Sequence, residues 1–171
     1  MNALQELSQT VRQRRTDMAL TQTALAQLSG LSRATINQIE NGSIRDLSLA
    51  RTARLLGVVG LTVHVSPARS AEHPSAPRRH QRGALELAAQ TASVSFRQPL
   101  QPGQLREALC TGVLEPDFVP QVFALLDEAP VALLARVVEE LHAAQGLARA
   151  KIWATMRQLA RQLKSGRALW L

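Results

Sequence analysis

The chain has 171 residues, which is room for one ordinary domain or two small ones. Hydrophobic residues make up 46% of it and charged residues 19%, so the chain can bury a core and is not disordered by composition. No apolar run approaches the roughly 18 residues that a membrane span needs, no secretory signal pattern is present, and Cys110 is the single cysteine. These features exclude a disulfide-stabilised fold and predict a cytoplasmic protein.

The net charge is +7, and 18 of the 20 basic residues are arginine, whose planar guanidinium pairs bidentately with phosphate and guanine. Residues 1–68 and residues 69–83 each carry +3, whereas residues 84–171 carry +1. The excess positive charge therefore lies in the first half of the chain. By itself it is equally compatible with a nucleic-acid partner and with an ordinary solvated surface.

Four helices are predicted near the start of the chain from apolar spacing and capping residues. The first runs over 2–15, and the second begins at Thr21 and ends at Gly30, whose freedom to adopt a positive φ suits a tight turn. Ser32 caps the third helix, and a fourth follows over about 48–56. Their apolar positions, expected to face inward, are Leu4, Leu7, Val11, Leu25, Leu28, Ile36, Ile39, Leu49, Ala53 and Leu56.

A short alternating run follows these helices between Gly60 and Pro67. Alternation with β-branched residues predicts a short β-strand, made of Leu61, Thr62, Val63, His64 and Val65. Residues 67–83 are rich in proline, serine and arginine and have hardly any large apolar side chain, so they are predicted to be a linker.

Apolar periodicity returns after the linker and predicts a small helical bundle over residues 84–171. We expect helices over about 84–91, 102–112, 117–128, 130–144 and 148–164, with an extended piece near 93–97. The apolar residues expected in its core are Leu105, Leu109, Phe118, Val122, Leu125, Leu126, Leu133, Val137, Leu141, Ile152, Trp153, Met156, Leu159 and Leu163. The predicted fold class is mainly α, with one unit over 1–66 that ends in the strand, the linker, and the bundle.

A helix-turn-helix pattern begins at Gln22 with the sequence QTALAQLSGLSRATINQIENG. Ala26 allows two helices to approach closely, Gly30 makes the turn, and Ile36 and Ile39 hold the second helix of the pair against its neighbours. With its Thr-Gln opening and Ile-Glu-Asn-Gly ending, the stretch 4–57 resembles the Cro/CI class, also called the XRE family or λ-repressor-like domains. The resemblance implies a five-element λ-repressor-like fold and binding to double-stranded DNA.

The resemblance also implies a role for individual residues. The exposed face of the third helix would contact bases, and Gln22 would bind phosphate from the start of the second helix. We expect Arg33 to pair with guanine and Gln38 with adenine, because these pairings are bidentate by geometry. The alternative is an ordinary solvated helix face. The predicted DNA-binding residues are Gln22, Ser32, Arg33, Ala34, Thr35, Asn37, Gln38, Asn41, Ser43 and Arg45.

Glu40 is an acidic residue on the helix that would face DNA, where phosphate repels it unless it is paired. The resemblance implies that it forms a structural ion pair with Arg15 of the first helix. The family often has glycine where this chain has Ala19, which we interpret as a mild departure.

Members of the family usually dimerise, because one domain makes few contacts and two domains bind half-sites about one helical turn apart. The predicted strand Leu61–Val65 is the expected dimerisation surface, since a second copy can satisfy its unpaired N–H and C=O groups. This arrangement resembles the antitoxin subgroup of the HipB type, in which the strands of two protomers pair. The alternatives are pairing with residues 93–97 of the same chain, or no strand.

The implied function is a sequence-specific transcriptional repressor, a nucleoid-associated homodimer that is also the antitoxin of a toxin–antitoxin operon and binds a toxin through its C-terminal bundle. One alternative is a stand-alone regulator whose bundle senses a small molecule or makes oligomer contacts. Another is a protein-interaction module that has lost DNA binding. The last helix contains several basic residues and no acidic residue follows Glu140, which fits a solvated face as well as a surface for DNA or an acidic partner.

Catalytic and metal-binding patterns are absent from the sequence. The four histidines, at positions 64, 73, 80 and 142, are scattered and have no cysteine or carboxylate at metal-ligand spacing. The sequence contains neither a phosphate-binding glycine loop nor a nucleophile elbow. We therefore expect no enzymatic activity, no cofactor and no metal.

Overall fold

The computed structural model describes residues 3–63 and 83–171, and within these ranges the regular structure is entirely helical. Four helices form the N-terminal part: α1 Ala3–Asp17, α2 Gln22–Ser29, α3 Arg33–Glu40 and α4 Leu49–Val58. The C-terminal part contains α5 Ala84–Ser93, α6 Pro102–Thr111, a 3-10 turn Pro116–Phe118, α7 Val119–Glu128, α8 Val131–Gln145 and α9 Arg149–Gln162. The predicted helices are therefore present, with ends that differ by a few residues.

The β-strand predicted over Leu61–Val65 is wrong. Its first three residues have no regular structure, and the last two, His64 and Val65, lie outside the described residues, as do residues 67–82 of the predicted linker. The Leu61 amide closes α4 instead and donates to Leu56 O at 2.8 Å, while the Gly60 amide donates to Gly57 O at 3.2 Å. This helix closure requires a residue with positive φ, and Gly60 supplies it at 74°.

The extended piece predicted near residues 93–97 is also wrong. The Phe96 amide donates to Ser93 O at 3.0 Å, so the chain turns there after α5. The Ser93 hydroxyl in turn accepts from the Leu100 amide at 2.8 Å, which sets the path from α5 toward α6. The fold class is thus all-helical across the part of the chain that the structure describes.

The hydrophobic core extends through both parts of the molecule as one cluster. The apolar stripe predicted for the bundle is buried as expected, except for the half-buried Leu163. In the N-terminal part the prediction was less accurate, since Leu4, Leu49 and Ala53 are exposed, Leu49 by 67%, while Leu55 of α4 and Val59 just after it are fully buried. For α4 the reason is that it packs against α2 and α8 together, which selects a different face from the one that the spacing indicated.

The N-terminal part packs against the bundle through two helix pairs, α1 with α9 and α4 with α8. The α4 contact is tight, because a Cβ atom at Gly60 would lie 2.5 Å from Ala135 Cβ. Near the contact of α1 with α9, Arg14 Nη1 of α1 and Arg149 Nη2 of α9 bind the Glu139 carboxylate at 2.6 and 2.7 Å. These contacts hold α1 and α4 at a defined place on the bundle.

The segment that follows α9 packs back on the bundle. Trp170 is 1% exposed, and its indole Nε1 donates to Leu126 O at 2.9 Å. Within residues 3–63 and 83–171, no single helix is long and apolar enough to cross a membrane. The pair Pro102–Thr111 and Pro116–Glu128, bent by 106°, meets that test of length and composition only when its two helices are taken together.

Candidate nucleic-acid interface

The turn between α2 and α3 is built by local capping. Thr21 Oγ1 accepts from the Ala24 amide at 3.0 Å and starts α2, and Gly30 ends it at a φ of 68°. The Leu31 amide then donates back to Ala26 O at 3.0 Å. Ser32 Oγ accepts from the Thr35 amide at 3.0 Å and starts α3. The angle between the two helices is thus set by a few neighbouring residues.

The two sides of α3 differ sharply in exposure. Ile36 and Ile39 are fully buried, and Glu40 is 6% exposed. The opposite side of α3 is exposed, and its residues are Arg33, Ala34, Asn37 and Gln38. A helix of eight residues therefore presents four neighbouring positions to a partner while its other side is anchored in the core.

Glu40 is the anchor that joins three helices. Arg15 binds it twice, with Nε at 2.6 Å from Oε1 and Nη2 at 3.0 Å from Oε2. Gln22 Nε2 donates to Oε2 at 3.0 Å, and Arg15 Nη1 also donates to Leu20 O at 2.8 Å. The structure thus contains the ion pair that the family resemblance implied. It also contains a second partner of Glu40, Gln22, that the resemblance did not imply.

The pKa of Glu40 depends on two opposing effects, burial and the interactions with its neighbours. Burial disfavours its charged form, but the hydrogen bonds from Arg15 and Gln22 and the charges of Arg15 and Arg12 outweigh burial. The pKa of Glu40 therefore lies below its ordinary value of 4.5. The carboxylate stays charged at neutral pH, so the link between α1, α2 and α3 is an ionic one.

Gln22, predicted to bind phosphate, is half-buried at the start of α2. One N–H donor of its side-chain amide is directed at Glu40, and an amide nitrogen carries two such donors. The same side chain can therefore hold Glu40 and donate to a phosphate. Its place beside the first turn of α2 also puts it next to backbone N–H groups that favour an anion.

The other predicted residues follow one another along α3 and the loop after it. Ser32 Oγ and Thr35 Oγ1 are 2.8 Å apart, and Asn41 Nδ2 donates to Asn37 Oδ1 at 3.0 Å. The Ser43 amide donates to Gln38 O at 2.9 Å and turns the chain away from α3. Ser32, Asn41, Ser43 and Arg45 are all exposed, and they flank α3 closely along the chain. Their contact with DNA stays a prediction.

Two features of the turn before α2 were not found from the sequence. Ala19, in the turn before α2, has a φ of 50°, which explains why glycine is common there in the family. Arg157 of α9 donates to the carbonyl oxygen of Met18 in the same turn. No local pattern connects residues 139 positions apart, so only the packing of α9 on α1 reveals this contact. Among the described residues, no group of three or more His, Cys, Asp or Glu side chains could hold a metal ion.

Two short helices joined by a glycine turn, the second with a polar exposed side and an anchored inner side, define a helix-turn-helix DNA-binding unit. Residues 11–63 match a family model described as helix-turn-helix, which is about a third of the chain. The match supports a DNA-binding regulator of the XRE type. No curated protein and no solved structure matches the chain significantly.

Proposed function

We propose that the chain is a sequence-specific transcriptional repressor that inserts α3 into the major groove of operator DNA. The observation that carries the proposal is the exposed side of α3, where Arg33, Asn37 and Gln38 are held outward because Ile36 and Ile39 are fully buried beneath them. Arginine and glutamine pair bidentately with guanine and adenine, each pair contributing about 1–3 kcal/mol of base discrimination. The proposed activity is binding alone, with no catalytic step.

The proposed active form is a homodimer. With eight residues, α3 is about 12 Å long and covers only a few base pairs of the groove. Two copies bound about 10 base pairs apart would double these contacts. An operator with two half-sites at this spacing should therefore bind far more tightly than a single half-site.

The antitoxin role is the finer form of this proposal. The resemblance to the HipB type depended on a strand that pairs between two copies, and the described residues form no strand. Repression without a toxin is therefore the simpler form, with the bundle free to bind a ligand or another copy. Co-expression with the product of the adjacent gene distinguishes the antitoxin from the repressor without a toxin, because a toxin would co-purify with this chain and lose its activity.

The test of DNA binding uses Arg33→Ala with Arg97→Ala as its matched control, since Arg97 is also exposed but lies in the loop between α5 and α6. The measured quantity is affinity for the DNA upstream of the gene and for a random-sequence duplex. Arg33→Ala should lose about 1–3 kcal/mol on the specific DNA and relax one base position. Gln22→Ala should weaken binding to both duplexes alike.

An equal loss for Arg33→Ala on the two duplexes would show that Arg33 does not contact a base. Failure of the unmodified protein to bind any fragment of its own upstream DNA would overturn the proposed function as a whole. The Arg97→Ala variant should match the unmodified protein in both assays.

A further inference from the structure

The exposed side of α9 has no negative charge. Its exposed or half-buried residues are alanine, glutamine, threonine or basic, and the sequence contains no acidic residue after Glu140. We define the α9 basic face as Arg157, Arg161 and Lys164, which recur at helical spacing along and just beyond the end of the helix. Arg149 is excluded because Glu139 binds it.

We propose that the α9 basic face binds the phosphate backbone of DNA that flanks the half-site contacted by α3. The inference rests on the proposed function and extends it, because it assigns to the C-terminal bundle a direct part in DNA binding. The supporting observations are the place of α9 beside the turn that leads into α2 and the electrostatics of the face.

The contacts between α9 and α1 fix the place of α9. At its start, Arg149 binds Glu139 together with Arg14 of α1 and interacts with the charge of Asp17. Two turns later, Arg157 donates to the carbonyl oxygen of Met18, just past the end of α1. Both arginines of α9 therefore lie at the C-terminal end of α1. At 1.5 Å per residue, Arg161 lies about 6 Å further along α9.

The end of α1 is close to the part of α2 that is predicted to touch DNA. Met18 precedes Thr21, the N-cap of α2, by three residues, and three residues span at most about 11 Å. Successive phosphates of one strand advance by about 3.4 Å along the duplex axis. A duplex bound at Gln22 would therefore extend within a few phosphates of Arg157, and Arg161 lies one turn beyond it.

The electrostatics of the α9 basic face also favour a polyanion. Burial and the nearby charge of Arg161 both lower the pKa of Arg157, so two guanidinium groups stand close enough to repel each other. A phosphate between or beside them would relieve this repulsion and accept charge-assisted hydrogen bonds. An acidic protein could offer similar charge, but the position beside α2 favours the DNA that α2 and α3 would already hold.

The test compares the full-length Arg161→Gln/Lys164→Gln variant with Arg97→Gln as the control. Both changed residues are exposed, but Arg161 Nε also donates to Trp170 O at 3.4 Å, so the melting temperature of the variant is measured to verify that it folds. Affinity is measured between 50 and 200 mM salt on a random-sequence duplex of about 30 base pairs and on the upstream DNA. Each lost phosphate contact reduces the salt slope by about 0.9, so the unmodified protein should lose about 12-fold more affinity over this range than the double variant.

Backbone contacts carry no sequence information, so the double variant should lose affinity equally on the two duplexes, unlike Arg33→Ala. Trimming the flanks of the upstream DNA to the half-sites should remove the difference between the variant and the unmodified protein. If the unmodified protein binds DNA and the double variant matches Arg97→Gln in affinity and salt slope, the inference is overturned and the proposed function stands. If the unmodified protein binds neither duplex, both fail.

Discussion

The exposed sides of α3 and α9 are both free of acidic residues, but they differ in chemistry and in the contacts that anchor each helix. The α3 side offers a mixture of arginine, asparagine and glutamine on a helix of eight residues, anchored from below by Glu40. The α9 side offers cations on a helix of 14 residues that is anchored to the bundle core by Trp153 and Met156. Base recognition needs varied donors and acceptors in exact places, whereas phosphate binding needs charge along a line.

In the proposed DNA complex, α3 would supply the specificity for a base sequence and the α9 basic face would add affinity for the phosphate backbone. The α3 side can distinguish bases but is too short to neutralise many phosphates. The α9 basic face cannot distinguish bases, but Arg157 places it beside the turn into α2. Substitutions that change the anchoring of α3 or the docking of α1 and α4 on the bundle therefore test how the two sides are held in place.

Removing the anchor of α3 should have the largest effect. In Glu40→Ala, Arg15 and Gln22 lose their common partner, and an arginine that is largely buried becomes unpaired. We expect the free energy of unfolding to fall by about 3 kcal/mol, with loss of specific DNA binding, because breaking a buried ion pair leaves one uncompensated charge. Urea unfolding and binding to the upstream DNA measure the two effects.

Glu107→Ala is the control for this change, because Glu107 is an exposed carboxylate of α6 and its loss should cost little. Equal stability of Glu40→Ala and Glu107→Ala would contradict the anchoring role of Glu40.

Gly60→Ala should loosen the packing of the N-terminal part on the bundle. The new Cβ would stand 2.5 Å from Ala135 Cβ at a φ of 74°, so we expect a loss of about 2 kcal/mol in the free energy of unfolding. If the α9 basic face needs this docking, its contribution to the salt slope should fall while base discrimination by α3 persists.

Gly57→Ala is the matched control, since it lies inside α4 with no atom within 4 Å of the new Cβ and should stabilise the helix. Ala135→Gly removes the close contact, so Gly60→Ala should cost less stability in the Ala135→Gly background than in the unmodified protein. An equal cost in the two backgrounds would mean that backbone strain at residue 60 alone explains the effect.

Ala19→Gly should stabilise the turn that joins α1 to α2. An alanine at a φ of 50° is strained and glycine is not, so the free energy of unfolding should rise by about 0.5–1 kcal/mol. Ala53→Gly, at an exposed position inside α4, should instead lower it by about 1 kcal/mol. Thermal unfolding of both variants tests the sign. A decrease for Ala19→Gly would show that this turn is not strained.

Glu139→Gln should have the smallest effect, one that depends on pH. The hydrogen bond from Arg149, opposed by burial and aided by the charge of Arg14, holds the pKa of Glu139 below its ordinary value of 4.5. The carboxylate therefore adds stability that is present above pH 4.5 and is lost as the pH falls through the lowered pKa. The variant should be less stable by about 0.5 kcal/mol at pH 7, since the site is partly exposed.

Unfolding curves at pH 7, 5 and 4 check this dependence, and the gap between Glu139→Gln and the unmodified protein should narrow at the lowest pH. A gap that stays constant would mean that the charge of Glu139 does not connect α1 to the bundle.

Much of the fold could be predicted because its signals are local. Thr21 and Ser32 cap α2 and α3 through hydrogen bonds that reach only three residues along the chain. The apolar stripe of the bundle was predicted for the same reason, since burial on one side of a helix repeats with the helix period. The pairing of Arg15 with Glu40 was accessible only through the family resemblance, because 25 residues separate them.

The wrong predictions for the strand at Leu61 and for the burial of Leu49 have different causes. The run after Gly60 alternates like a strand, but the Leu61 amide is used to close α4, so it cannot take part in strand pairing. Leu49 stands at an apolar position of its helix, yet the contacts of α4 with α2 and α8 leave it exposed. In the first case the end of α4 uses the amide that a strand would need, and in the second the neighbouring helices select a different side of α4.

The sequence by itself determined where the helices lie to within a few residues, which residues of α3 are polar, and a resemblance to a DNA-binding family. Only the tertiary structure decided that α9 lies beside the turn before α2 and that Gly60 meets Ala135. Capping and helical periodicity act over a few residues and are written into the local sequence. The docking of distant helices depends on the fit of whole surfaces, which no short stretch of residues specifies.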